Sequence, residues 1–289
     1  LIRLKPLSDS IKSSRKSMKQ NNFLCIRRLS MLLLIAGFLP SALSLSARRL
    51  QEFLPAKSTS TAVVVCPGGS YCWLSKKTEG REVGQWLADH GIAAYVLYYP
   101  TAGWAGFALH SRWLFHGRQH PDQINALNRA LEIVRSKGYR RVGAMGFSAG
   151  GHLVLQAAAY SPRNLSPDFV APIYPVVSMS HPCVHRRSRR GLLGECRWRD
   201  KLVCDSLSME RHADRICCPV FMINCTDDPI VNHHNAELMD SALTVHRVPH
   251  FYRQYRTGGH GFGVNPRKTS EEAIEWKEEF LKWIKAIMQ

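Results

Sequence analysis

The chain has 289 residues, 45% of them hydrophobic, and a formal net charge of +17. This length and composition suit one large hydrophobic core rather than a chain of small modules. Much of the positive charge lies within the first 28 residues, and the rest is spread over the chain with a local cluster, HRRSRR, at 185–190. The distribution argues against a nucleic-acid-binding protein, so no nucleic-acid partner is expected.

Residues 1–47 have the order of a secretory signal peptide. A basic region precedes the apolar run MLLLIAGFLP and the small residues SALSLSA. The apolar run is too short to span a bilayer. Met18 is a natural initiator residue, and residues 1–17 are then expected to be an artefact of gene prediction. The alternative is an uncleaved N-terminal anchor. We expect a secreted or periplasmic protein with no stable membrane insertion after cleavage, and a single domain over 48–289.

Eight of the nine cysteines lie outside this segment, and an even number in an oxidising compartment permits disulfides. Cys66 and Cys225 fall in apolar runs, where buried free thiols are expected. The better candidates for bridges lie in a polar, irregular region: Cys183, Cys196 and Cys204. The sequence has no CxxC or HExxH pattern, so neither a metal site nor a cofactor is predicted.

Apolar strand-like runs alternate with amphipathic helical runs along the rest of the chain. Strands are predicted at 61–67, 92–100, 141–147, 169–177, 219–226 and near 251–256. Helices are predicted at 81–91, 121–138, directly after Ser148, at 235–243 and at 270–287. This alternation predicts a doubly wound, mostly parallel α/β sheet with helices on both faces. Residues 178–208 break the pattern and are expected to form an insertion over the carboxyl ends of the strands, where such sheets bind ligands.

The motif GFSAG places one serine on the turn between a predicted strand and helix. Gly146, Ser148 and Gly150 form G-x-S-x-G, and the small residues let the backbone bend sharply enough to hold the hydroxyl out of the turn. Ser148 is therefore predicted to be a nucleophile. The alternative is a tightly packed helix start in which Ser148 is an ordinary N-cap.

A serine nucleophile needs a base and a carboxylate that orients the base, and in this architecture they follow in the order serine, acid, histidine. FMINCTDDPIV ends a strand and offers two candidates. Asp228 is favoured because it stands where the chain turns toward the next helix, while Asp227 is expected to cap that turn. The possibility that both only cap a helix stays open.

Five histidines follow the acid, His233, His234, His246, His250 and His260. Only His260 lies in a glycine-rich loop, TGGHGFG, in which an imidazole can swing toward a serine on another loop. His260 is the predicted base. His233 and His234 are expected to be surface residues at a helix start, although either could line the pocket.

Acyl transfer also needs backbone N–H groups to meet the oxyanion. PGGS follows the first predicted strand, and the backbone of Gly68, Gly69 and Ser70 can approach a substrate closely. We predict an oxyanion hole made by Gly69, Ser70 and Ala149, the residue after the nucleophile. The alternative is a plain Pro-Gly-Gly turn.

From about Thr61 to the C-terminus the chain resembles α/β-hydrolase esterases of the bacterial acetylxylan-esterase-like group, close to feruloyl-esterase-like and carboxylesterase-type hydrolases. The resemblance rests on PGGSYCWLS with TEG behind it, GFSAGGH, RGLLGE, PVFMINCTDDPIV and GGHGFG. It implies one α/β-hydrolase domain, triad roles for Ser148, Asp228 and His260, and hole roles for Gly69 and Ala149. Many such relatives remove acetyl groups from plant polysaccharide fragments.

Three departures from the family loosen the substrate assignment and leave the triad intact. Pro67 stands where a histidine often precedes the glycines, Ser70 replaces a third glycine, and Cys225 replaces a glycine before the acid. The chain shows no long apolar lid of a lipase and has no room for the propeller domain of a prolyl peptidase.

The expected substrate is a small-molecule or oligosaccharide ester, with acetyl groups on xylan or xylo-oligosaccharides favoured. Tyr71 and Trp73 are expected to fill the acyl side of the pocket, although Tyr71 could equally turn into the core. Trp104, Trp113 and His116 suit stacking on sugar rings and hydrogen bonding to hydroxyls, or packing of their loop onto the core. Tyr71, Trp104 and Trp113 are therefore predicted substrate contacts. Alternatives are another carboxylesterase or lipase-like hydrolase, or a non-catalytic binding protein of the same fold; the oligomeric state is left open.

Overall fold

Seven strands of the described part of the chain form one sheet, in the order β1-β3-β2-β4-β5-β6-β7. The structure, a computed structural model, describes residues 49–103 and 118–288. Only the pairing of β1 with β3 is antiparallel, and the other five pairs are parallel. The strands are β1 (Leu50–Phe53), β2 (Thr61–Cys66), β3 (Ala93–Leu97), β4 (Arg141–Phe147), β5 (Val170–Ile173), β6 (Val220–Cys225) and β7 (His250–Tyr255).

Helices connect the parallel strands, as the alternation of the sequence predicts. The described helices are α1 (Glu82–Asp89), α2 (Asp122–Ser136), α3 (Ala149–Tyr160), α4 (Arg186–Arg197), α5 (Lys201–Ser206), α6 (His234–Val245), α7 (Glu271–Ile274) and α8 (Trp276–Met288). A π-helical turn, Lys76–Arg81, leads into α1, and 3-10 turns cover Met209–Arg215 and Pro266–Lys268. The helix predicted over 270–287 is divided between α7 and α8.

The two faces of the sheet are covered by different helices, which gives two hydrophobic clusters. Successive residues of a strand point to opposite faces. Val64 of β2 therefore packs in one cluster with Leu127 of α2 and Leu153 of α3, while Val63 packs in the other with Phe280 of α8. Every residue of β2 is buried, as expected for a parallel strand covered on both sides. The predicted doubly wound α/β sheet is confirmed.

Strand β1 was not predicted from the sequence. It is four residues long and only half-buried, and it pairs with β3 in the register Leu50 to Leu97. An edge strand this short carries too little periodicity to be recognised locally. Its partner β3 lies more than forty residues further along the chain, so no local pattern marks the pairing.

The insertion predicted at 178–208 contains α4 and α5, so it is helical rather than irregular. Gly191 of α4 lies so close to the loop after β2 that an added Cβ would collide with the carbonyl oxygen of Ser70 and lie 2.9 Å from Sγ of Cys72. Because that loop leaves the carboxyl end of β2, the insertion covers this edge of the sheet. Its expected position is therefore confirmed.

All eight described cysteines are free thiols. This agrees with the expectation for Cys66 and Cys225, which are fully buried. The expectation of bridges among Cys183, Cys196 and Cys204 is wrong. The Cys183 thiol lies 3.1 Å from Nδ1 of His181, and the Cys204 thiol donates to the carbonyl of Trp198 at 3.4 Å, so each faces a neighbour on its own segment.

Several expectations concern residues outside the described ranges. The signal peptide over 1–47 and the aromatic loop with Trp104, Trp113 and His116 belong to this group. Within 49–103 and 118–288, the structure has no helix that is long and apolar enough to cross a membrane.

Candidate active site

Ser148 occupies a strained turn between β4 and α3. Its φ of 53° and ψ of −117° lie in a region that non-glycine residues rarely adopt, at a cost of about 1–3 kcal/mol. Close packing enforces the turn, because an added Cβ at Gly146 would collide with the carbonyl of Gly150, and one at Gly150 with the carbonyl of Cys66. The Ser148 side chain makes no capping hydrogen bond to α3. The ordinary N-cap role is thereby excluded.

Asp228 and His260 form a buried pair on the loops after β6 and β7. Oδ2 of Asp228 lies 2.6 Å from Nδ1 of His260, and their side chains are 1% and 10% exposed. Oδ1 of Asp228 accepts the N–H groups of Ile230 at 2.8 Å and Val231 at 2.9 Å, which fixes the carboxylate. When Nδ1 donates to Oδ2, the imidazole keeps a lone pair on Nε2, the atom a general base uses.

Asp227 has a different task from the one expected of it. Its two carboxylate oxygens accept the N–H groups of Gly258 at 3.2 Å and Gly259 at 2.9 Å. The expectation that Asp227 caps the turn toward α6 is wrong, because Asp228 itself makes that turn. Asp227 instead stabilises the glycine-rich loop that carries His260 through these two hydrogen bonds.

The two adjacent histidines expected at a helix start lie there. His233 precedes α6 and His234 begins it, and Nδ1 of His233 contacts Oε1 of Glu237 at 2.8 Å. Among the described residues, these three side chains form the one cluster whose donor atoms, all within 4.8 Å of one another, could hold a metal ion. Glu237 also accepts from the side-chain amide of Gln254 at 3.0 Å. The expected absence of a metal site stays a prediction.

The loop after β2 lies beside Ser148. An added Cβ at Gly68 would stand 2.9 Å from Cβ of Ser148. The Gly68 N–H is taken by Oε2 of Glu79 at 2.8 Å. Within 49–103 and 118–288, no hydrogen-bond acceptor occupies the N–H groups of Gly69, Ser70 or Ala149. The role of these three residues in an oxyanion hole stays a prediction.

Tyr71 is a core residue, so its expected contact with substrate is wrong. The chain reverses at Ser70 and Tyr71, where φ is 57° and 61°, and the ring turns inward and is fully buried. Its hydroxyl lies 2.8 Å from Nδ1 of His152 on α3. Trp73 stays half-buried in the loop, with the Arg187 guanidinium of α4 5.6 Å from its ring centre.

Two residues close to the Asp228–His260 pair, Tyr174 and Glu79, were not predicted from the sequence. Tyr174 follows β5 with a φ of 36°, and its ring centre lies 4.6 Å from that of His260. The Tyr174 hydroxyl donates to Oε1 of Glu79 at 2.9 Å. Glu79 stands in the TEG motif, which was a signal for it, whereas nothing around Tyr174 in the sequence distinguished it from a core tyrosine.

His185 was also missed, as it was taken for part of a basic cluster. It precedes α4, and its Nδ1 lies 2.8 Å from Oγ of Ser188. Burial, with the neighbouring charges of His260 and Arg187, lowers the pKa of His185 to about 4. The insertion therefore places a neutral imidazole near His260 and Asp228.

The chain is similar to known proteins over most of its length. Residues 53–288 carry the sequence pattern of one known family. The chain belongs to the dienelactone hydrolase family. It is 32% identical over 245 residues to an acetylxylan esterase of Xylanibacter ruminicola, a match that covers 81% of this chain and 47% of that protein. The chain thus spans about half the length of this relative.

Solved structures of similar proteins have the same fold. An acetyl ester-xyloside bifunctional hydrolase from Caldicellulosiruptor lactoaceticus shares 28% identity, with a TM-score of 0.69 over 82% of this chain and 87% of that one. A carboxylesterase from Lactobacillus plantarum, 17% identical, matches with a TM-score of 0.64 over 82% of this chain and 91% of that one. Together with the family membership, these matches confirm the resemblance to α/β-hydrolase esterases.

Proposed function

We propose that this dienelactone hydrolase family member hydrolyses short-chain carboxylic esters with Ser148 as nucleophile, His260 as base and Asp228 as the orienting acid. The observation that carries the proposal is the 2.6 Å contact between Nδ1 of His260 and Oδ2 of the buried Asp228. The loops of this pair follow β6 and β7, and Ser148 follows β4 in the same parallel sheet. The carboxyl ends of these strands share one edge, where such sheets bind ligands.

The residues have the chemistry for a two-step reaction. Oγ of Ser148 attacks the ester carbonyl while Nε2 of His260 takes its proton, and Asp228 stabilises the imidazolium. The tetrahedral oxyanion meets the N–H groups of Gly69, Ser70 and Ala149. The C–O bond then breaks, the alcohol leaves with the proton from His260, and an acyl-enzyme remains. A water deprotonated by His260 attacks the acyl carbonyl, and the carboxylic acid leaves as the proton returns to Ser148.

The substrate proposed is an O-acetyl group on xylan or a xylo-oligosaccharide. The supporting observations are the names of two relatives, an acetylxylan esterase at 32% identity and an acetyl ester-xyloside bifunctional hydrolase at 28%. Residues 1–47 have the order of a basic region, a short apolar run and small residues. We therefore propose export through a signal peptide over 1–47, followed by one domain over 48–289. N-terminal sequencing of exported protein is expected to start between about residues 45 and 49, where small residues suit a signal peptidase.

The test compares the wild type with Ser148→Ala. The wild type is expected to release p-nitrophenol from p-nitrophenyl acetate and acetate from acetylated xylo-oligosaccharides. Ser148→Ala is expected to lose roughly 10³-fold or more in turnover, because the attacking oxygen is gone, with an unchanged circular dichroism spectrum. A folded variant that keeps over half of the activity would contradict the nucleophile assignment. Activity on the model ester without acetate release from the oligosaccharide would remove the proposed substrate alone.

A further inference from the structure

Glu79 is a buried carboxylate that the proposed reaction does not use. It is 2% exposed and lies in the π-helical turn before α1. Burial raises the pKa of Glu79, against the opposing effects of the charge of His260 and of the hydrogen bonds from Tyr174, Gly68 and Ser75. Buried carboxylates are rare unless several donors satisfy them, so this position calls for a physical reason.

The Glu79 carboxylate joins two loops of the site. Oε2 accepts the Gly68 N–H at 2.8 Å, and Oε1 accepts the Tyr174 hydroxyl at 2.9 Å. The Tyr174 oxygen in turn accepts the N–H of Gly263, three residues beyond His260, at 3.0 Å. One line of hydrogen bonds therefore runs from the loop of the expected oxyanion donors to the loop of the expected base.

The packing leaves little freedom for these groups to rearrange. An added Cβ at Gly68 would lie 2.8 Å from Oε2 of Glu79 and 2.9 Å from Cβ of Ser148, so the carboxylate, the loop and the nucleophile are in close contact. The Tyr174 ring also packs 4.6 Å from the His260 ring, centre to centre. A shift of the Glu79 carboxylate would therefore displace both the Gly68 loop beside Ser148 and the Tyr174 ring beside His260.

The chemistry of the network requires an acceptor at both oxygens. A carboxylate accepts at both, whereas a glutamine in its place presents an NH2 to one of the two donors. In one orientation the NH2 would face the Gly68 N–H, which would lose its acceptor; in the other the NH2 would donate to the Tyr174 oxygen, and the hydroxyl hydrogen of Tyr174 would lose its acceptor. The Gly68 N–H belongs to the peptide between Pro67 and Gly68, and the Gly69 N–H belongs to the next peptide, so a displacement of Gly68 reaches this expected oxyanion donor through the Cα atom that the two peptides share.

We propose that Glu79 is a positioning residue that holds the oxyanion loop and the His260 loop in the arrangement required by the transition state. The inference rests on the proposed function, since it needs Ser148 chemistry at this site. Glu79 does not touch the substrate and acts through Gly68 and Tyr174. Its removal is expected to weaken stabilisation of the tetrahedral state and to leave ground-state binding nearly unchanged.

The experiment compares Glu79→Gln with the matched control Glu82→Gln. Glu82 lies on α1 three residues further on, and its carboxylate accepts from Asn265 at 3.3 Å, also in the segment after His260. Three quantities are measured with each folded protein: kcat and KM for p-nitrophenyl acetate, and Ki for phenylboronic acid, which forms a tetrahedral adduct with a serine nucleophile. Thermal unfolding reports on the fold.

Glu79→Gln is expected to lower kcat by about 10- to 100-fold and to raise Ki by a similar factor, with KM within about twofold of the wild type. Glu82→Gln is expected to keep wild-type values of all three. A purely structural role would reduce the amount of folded protein without this parallel change in kcat and Ki. Wild-type kcat and Ki in a folded Glu79→Gln protein would overturn the inference.

Tyr174→Phe keeps the test decisive if Glu79→Gln does not fold. It removes the hydroxyl between Glu79 and Gly263 and keeps the ring against His260. A smaller parallel change in kcat and Ki is expected, and unchanged values would overturn the inference. Ser148→Ala separates the two hypotheses: an active Ser148→Ala contradicts the proposed function itself, whereas an inactive one beside a fully active Glu79→Gln contradicts only the role of Glu79.

Discussion

Two adjacent aspartates illustrate how position decides function at the scale of the residue. Asp228 directs Oδ2 to the ring of His260, while Asp227 holds the backbone of Gly258 and Gly259. In the proposed reaction, the first contact orients the base and stabilises the positive charge that forms on the imidazole. The second shapes the loop on which the base stands.

The two aspartates are therefore expected to respond differently to the same substitution. Asp228→Asn should lower kcat by about 10³-fold or more, because an amide neither stabilises the imidazolium nor fixes the required tautomer. Asp227→Asn should cost about tenfold or less, because one amide oxygen still accepts an N–H group. Steady-state kinetics on p-nitrophenyl acetate decide between the two. Equal, mild losses would show that Asp228 is not the catalytic acid.

At the scale of the element, α4 is the part of the insertion that meets the site. Its Gly191 lies against the carbonyl of Ser70, in the loop expected to bind the oxyanion. Trp73 of the same loop lies beneath Arg187 of the helix. The helix therefore contacts the loop at Ser70 and Trp73, whereas Glu79 contacts it at Gly68.

Gly191→Ala tests the contact between α4 and the loop after β2. The substitution has two opposing effects on stability. Alanine in a helix is favoured over glycine by about 1 kcal/mol, whereas overpacking against a backbone carbonyl costs about 1–3 kcal/mol. The collision is expected to dominate, with a lower Tm and a lower kcat. Leu202→Ala, at an exposed position of α5 in the same insertion, is the control and should change neither. A higher Tm for Gly191→Ala with full activity would mean that α4 does not press on the loop.

At the scale of the whole molecule, the buried His152 links stability to pH. Its Nε2 donates to the carbonyl of Leu207 at 2.8 Å, and Nδ1 accepts from Tyr71 at 2.8 Å and from Gln156 at 2.9 Å. Every polar atom of the neutral ring is satisfied, and a second proton would face two donors. Burial accordingly lowers the pKa of His152 from 6.5 to about 4.

Acidification is therefore expected to destabilise the fold. Between pH 6.5 and 4, His152 is protonated in the unfolded chain and stays neutral in the folded protein. The free energy of unfolding therefore falls as the pH falls through this window. From pH 7.5 to 4.5 the loss due to this residue is about 2–3 kcal/mol. Urea unfolding at both pH values, compared between the wild type and His152→Gln, measures it. The variant should lose less stability on acidification, and an identical loss in both proteins would contradict this role of His152.

The fold and the positions of the site residues followed largely from local patterns. Strand and helix periods predicted the parallel sheet, and the order of GFSAG, the aspartates and GGHGFG brought Asp228 and His260 together as expected. The strained turn at Ser148 was also predictable, because only its glycine neighbours permit it. These features depend on a few consecutive residues, and the fold class then places the loops at one edge.

The direction of side chains and the pairing of distant groups were decided only by the tertiary structure. Tyr71 turned into the core because two successive residues adopt positive φ, and Asp227 found its partners on a loop about thirty residues away. Strand β1 is recognised only by its pairing with β3, and Glu79 only by its contact with Tyr174, 95 positions further along the chain. The sequence by itself determined which elements form and in what order the reactive groups appear. It could not determine which buried groups face one another, because a hydrogen bond between distant segments depends on packing of the whole core rather than on any local period or motif.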